Sequence, residues 1–125
     1  MSTFRLILAT TLCLATAPAF AADTAQEIGT AAAHAGMAAG AEAPQMVKAH
    51  LQHVLNCLEG PKGADYNAAA ANPCKGQGEG AIPDSPTDQR KKLEDAAGKA
   101  KQALAEQNID KAKVMATEIQ AELTR

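Results

Sequence analysis

The sequence predicts an all-α protein, a small three- or four-helix bundle with a C-terminal αα-hairpin and a disulfide-tethered loop. Three observations predict it: apolar residues recur with the helical period and never alternate as in a strand; 30 of the 125 residues are alanine; and two cysteines flank a stretch rich in Gly and Pro. The alanines also explain why a 46% hydrophobic content overstates the core, because Ala buries little surface and only large side chains contribute about 1.5–3 kcal/mol each. So thin a core excludes a multidomain enzyme or a thick α/β domain. With 2% aromatic residues and a net charge of −2, the chain has neither stacking platforms nor a basic footprint for nucleic acid.

Residues 1–21 carry one cation, Arg5, then the apolar run from Leu6 to Ala15, then small residues at Ala19 and Ala21. This is the pattern of a secretory signal peptide. The remaining chain is expected in the periplasm or secreted, with no membrane span after cleavage. Cys13 leaves with the leader, so Cys57 and Cys74 remain. An even number of cysteines in a short exported chain reads as a disulfide. Closing a loop of about 17 residues is worth about 3 kcal/mol.

Residues 22–43 read as an Ala-rich weak helix or flexible segment, since each interior glycine (Gly29, Gly36) costs about 0.8–1 kcal/mol against Ala. A helical domain then spans residues 44–125. Pro44 suits a first helical turn, and Val47, Leu51, Val54, Leu55 and Leu58 recur at spacings of three and four up to the stop at Gly60-Pro61. A second, narrower arc of the same helix holds Met46, His50, His53 and Cys57. Residues 60–84 read as an irregular loop with one helical turn at Asn67 to Ala71, folded back by the disulfide over the histidine stripe. Ser85 is expected as N-cap of the next helix, with Pro86 in its first position. Leu93, Ala96, Ala97, Ala100, Ala103 and Leu104 line one face. After a turn near Gln107-Asn108, a last helix presents Ile109, Ala112, Val114, Met115, Ile119 and Leu123.

His50 and His53 carry the strongest chemical signal. Side chains three or four apart on a helix are neighbours, so two imidazoles converge as a transition metal requires, and Met46 adds a thioether on the same side. His34 and Met37 form a second pair at helical spacing, and Glu59, Asp65 and Glu79 of the loop are further candidate ligands. Imidazole with thioether favours copper; imidazole with carboxylate suits zinc. The sequence therefore points to a metal-binding protein for copper or zinc, serving storage, buffering or delivery.

The alternative is a non-catalytic structural or protein-interaction module, in which the histidines only bond backbone carbonyls and the partner is another periplasmic protein. A third reading is b-type haem, since a Met on one helix and a His on another can hold haem iron in a bundle. Ser85 to Arg125 resembles in general pattern the final hairpin of the soluble periplasmic b-type cytochromes, without the histidine that family has in its last helix. No Cys-x-x-Cys-His exists for covalent haem. No Gly-x-Ser-x-Gly or His-Glu-x-x-His occurs either, and no histidine follows His53. The protein is accordingly expected not to be an enzyme.

Overall fold

Five helices and no strand make up residues 22–125, which are the residues described in the computed structural model. The expected leader, residues 1–21, lies outside them. The elements are α1 (Thr24–Gly40), α2 (Pro44–Glu59), the one-turn α3 (Ala81–Asp84), α4 (Thr87–Ala105) and α5 (Ile109–Leu123). The four long helices close a ring of contacts, α1 lying against α2 and α5, and α4 against the same two.

The alanine-rich segment is a continuous helix. Asp23 caps it by accepting from the Gln26 amide, and Ala31, Ala32, Ala35 and Ala38 are buried. Over Gly36 lies the side-chain amide of Gln120 from α5, which a Cβ there would push aside. Helices without side-chain bulk at the contact pack at the short end of the usual interaxial range of roughly 8–10 Å.

In α2 the apolar stripe is buried as its period dictates, with Val47, Leu51, Val54, Leu55 and Leu58 all at or near zero exposure. Asn56 is buried as well, and it organises the loop that follows. Its Nδ2 donates to the carbonyls of Asn67 and Ala71, while its Oδ1 accepts from the Asn67 amide and from Gln52. The Cys57–Cys74 disulfide is formed, with Cα atoms 5.2 Å apart. Gly60 ends the helix at φ +67, where a Cβ would collide with the Glu79 carbonyl oxygen. The returning segment of the loop thus crosses directly over the end of α2, which only glycine allows.

Several local expectations are corrected. The single helical turn lies at Ala81–Asp84, whereas residues 67–71 form a turn closed by the Ala70 amide on the Asn67 carbonyl. Ser85 is not an N-cap. It ends α3, its hydroxyl buried and unpartnered, and Pro86 takes the capping position, its carbonyl accepting from the Gln89 and Arg90 amides. On α5 the buried face is Ala112, Ala116, Ile119 and Leu123, and Val114 stands 59% exposed because it lies off that stripe.

Two polar residues tie elements together. Lys48 of α2 donates from Nζ to the carbonyls of Ala103, Leu104 and Glu106, satisfying the end of α4, which has no basic residue of its own there. A cation at a helix C-terminus also meets the negative end of the macrodipole. Glu27 of α1 is fully buried and accepts from the Gly80 amide through Oε1, while its Oε2 has no partner. Burial, then the charges of Asp84 and Asp23, push its carboxyl above the ordinary range, against the opposing pull of the Gly80 amide.

Candidate metal centre

Helices α1 and α2 meet at three histidines. His34 sits midway along α1, in a run where every neighbour from Ala31 to Gly36 is Ala or Gly, so nothing bulky screens its ring. His50 and His53 sit one turn apart on α2 and face it. His34 Nδ1 lies 3.1 Å from His50 Nδ1 and 3.3 Å from His53 Nδ1. The ring centroids are 4.9 to 5.7 Å apart, and the His34 and His53 rings stand at 88°. All three side chains are half-buried.

These distances have a direct chemical meaning. Nitrogens bound to one tetrahedral ion at about 2.0–2.1 Å stand about 3.3–3.4 Å apart. The ligand atoms of His34, His50 and His53 all fall within 4.8 Å of one another, and among the described residues they form the one group of three or more His, Cys, Asp or Glu side chains so arranged.

Hydrogen bonds among the three rings do not pair both close contacts of His34. A neutral ring nitrogen either carries a hydrogen or offers one in-plane lone pair. If His34 Nδ1 donates, its one hydrogen aims at one neighbour, and the other neighbouring nitrogen gets no hydrogen bond from it. If it accepts, a single lone pair serves two donors. A cation between the three nitrogens satisfies every lone pair at once. The electrostatics favour that state: burial, and then the proximity of His53 and His50, lower the pKa of His34, and burial followed by His50 lowers that of His53. Neutral imidazole is the metal-binding form.

The other sequence candidates fall elsewhere. The loop does not supply ligands: Asp65 is paired with Lys101 at 2.8 Å and Glu79 with Lys62 at 2.8 Å, and Glu59 accepts from the Asp65 amide. Nor do the loop's polar contacts run to the histidine stripe. They run to Gln52, Asn56 and Glu59 on α2 and to Thr30 and Glu27 on α1. His50 and His53 are met instead by His34. Met37 and Met46 lie about one turn from the histidines on α1 and α2 and are 50% and 48% exposed. Cys57, on the same arc as His50 and His53, is consumed by the disulfide.

Spacing within α2 identified His50 and His53. The central role of His34 arises from the α1–α2 pairing, which no local pattern reports. Comparison with protein-family models, with curated proteins and with solved structures gave no match. No described helix is long and apolar enough to cross a membrane.

Proposed function

We propose that this protein is an exported, non-enzymatic binder of a transition metal ion, copper or zinc, held by His34, His50 and His53 and serving storage, buffering or delivery in the periplasm. The observation that carries this reading is the approach of His34 Nδ1 to Nδ1 of both His50 and His53 at 3.1 and 3.3 Å, with ligand atoms of all three rings within 4.8 Å of one another. Three protein nitrogens leave a tetrahedral ion with one open position. An open position admits an exchangeable ligand, the property a buffer or delivery protein needs and a structural site lacks. The leader-like residues 1–21 and the disulfide agree with an oxidising compartment. The small bundle supplies rigidity, since α1 and α2 are each held by a second long helix.

The converging nitrogens fit one small ion; they stand too close together to serve as a pair of axial ligands on opposite faces of a porphyrin. The interaction-module reading leaves the cluster to hydrogen bonds in which His34 Nδ1, with one hydrogen or one lone pair, is shared between two neighbours.

Native mass spectrometry of the oxidised mature protein with limiting zinc or copper tests the proposal, run beside His34→Ala, His50→Ala and His53→Ala. One equivalent of metal is expected for the parent, with affinity falling at least tenfold in each variant while the helical circular dichroism stays unchanged. Equal loss at His34 is the discriminating result, because it requires ligands from both helices. Absence of uptake at micromolar metal would return the histidines to a structural role.

A further inference from the structure

The tri-histidine centre accounts for every histidine and leaves the two methionines unexplained. Among the described residues only Met37, Met46 and Val114 are large apolar side chains left exposed. Two of the three stand beside the same three imidazoles. Their placement follows from the hairpin. The helices α1 and α2 are joined by the short segment Ala41 to Ala43 and run antiparallel, so His34 comes level with His50 and His53. One turn from His34 toward that connection lies Met37. One turn from His50 in the same spatial direction lies Met46. Residues at these spacings share a helix face, so Met37 and Met46 lie on the histidine-bearing faces of α1 and α2, toward the connected end of the hairpin. A turn rises about 5.4 Å, so each methionine stands about one such step along its helix from the nearest imidazole.

From Ala31 to Ala41, the only side chains larger than alanine are His34 and Met37. No cationic side chain in that run repels an approaching ion. Thioethers are soft, uncharged donors that select monovalent copper, and zinc or divalent copper prefers imidazole and oxygen. Methionine is also flexible enough to follow an ion that moves.

We propose that Met37 and Met46 form a thioether station that takes up Cu(I) near the connected end of the hairpin, one turn from the tri-histidine centre, and passes it along the hairpin to the imidazoles. The copper remains monovalent throughout, so the step is a ligand exchange with no electron transferred. The proposal rests on the metal reading of the histidines for the destination of the ion, but not for the capture.

Anaerobic titration with the tetrakis(acetonitrile) complex of copper(I), and separately with zinc, distinguishes the two claims. The parent is expected to take two equivalents of Cu(I) and one of zinc. Met37→Leu/Met46→Leu, which preserves apolar volume, is expected to lose one Cu(I) equivalent and keep its zinc. His34→Ala/His50→Ala/His53→Ala is expected to lose zinc and keep one Cu(I), which then disappears when the two leucines are added. If the leucine variant binds as much Cu(I) as the parent, or the histidine-free variant binds none, the thioether station is overturned. In the first case, retained zinc binding leaves the histidine site intact. A parent that takes no zinc, but loses Cu(I) on leucine substitution, overturns the histidine reading and upholds the thioether station. Circular dichroism of each variant confirms that the comparison is between folded proteins.

Discussion

At the Nδ1 atom of His34 two helices contribute what neither holds alone: an imidazole from α1 and a pair from α2, within 3.3 Å. Burial first, and then the neighbouring imidazoles, lower the pKa of His34 and of His53 and so favour their neutral forms. Metal-free stability from His34 and His53 is therefore full above the ordinary imidazole value of about 6.5 and lost as pH falls through their lowered folded-state values. Glu27 has the opposite sign. Its raised carboxyl contributes stability that is complete below the unfolded-state value of about 4.3 and is lost as pH rises through the folded-state value. Glu27→Gln keeps an acceptor for the Gly80 amide and carries no charge. In urea melts the variant is expected to be more stable than the parent near neutral pH, with the advantage shrinking as pH approaches about 4. A variant no more stable near neutral pH would show that the ionised carboxylate is accommodated at no cost. At this scale the sequence revealed chemistry only where partners lie within one helix. His50 and His53 were legible together; Glu27, Asn56 and the pivotal role of His34 were not, because each acts on a residue distant in the chain.

Among the elements, α2 does the most. Its apolar stripe, its histidine arc and its lysine face three different neighbours. Lys48 closes the carbonyl end of α4, so Lys48→Met retains the aliphatic stem but leaves three carbonyls without their donor. Because water reaches part of that end, the expected loss is about 1–2 kcal/mol in chemical denaturation. Unchanged stability would mean that water replaces the ammonium fully. The stripe of α2 was legible because five large residues kept one period. Val114 misled because a β-branched residue among small ones looks apolar whichever way it points, and Ser85-Pro86 misled because the preceding turn of helix, α3, already claims Ser85 as its end.

The whole molecule compensates for a thin core by close packing of small residues and by covalent closure. The disulfide was legible from cysteine count and compartment. The path of its loop was not, since that depends on Asn56 gripping Asn67 and Ala71 and on the crossing of Gly60 with Glu79. Reduction of Cys57–Cys74 is expected to lower stability by about 3 kcal/mol. It should leave metal uptake intact in protein that remains folded, because all three histidines lie on α1 and α2. Uptake that fails with reduction while helicity persists would assign the loop a direct part in the site. Metal present at about 100 times its dissociation constant is expected to restore about 2.7 kcal/mol, so the loaded, reduced protein and the metal-free, oxidised one should melt at similar temperatures.

X-ray absorption at the zinc edge of the one-to-one complex tests the central claim most directly, because it counts the ligands around the ion. Three imidazole nitrogens at about 2.0–2.1 Å with one light, exchangeable fourth ligand are expected, falling to two imidazoles in His34→Ala. A hydrated ion without imidazole scattering, or a spectrum that His34→Ala leaves unchanged, would contradict a centre built from both helices.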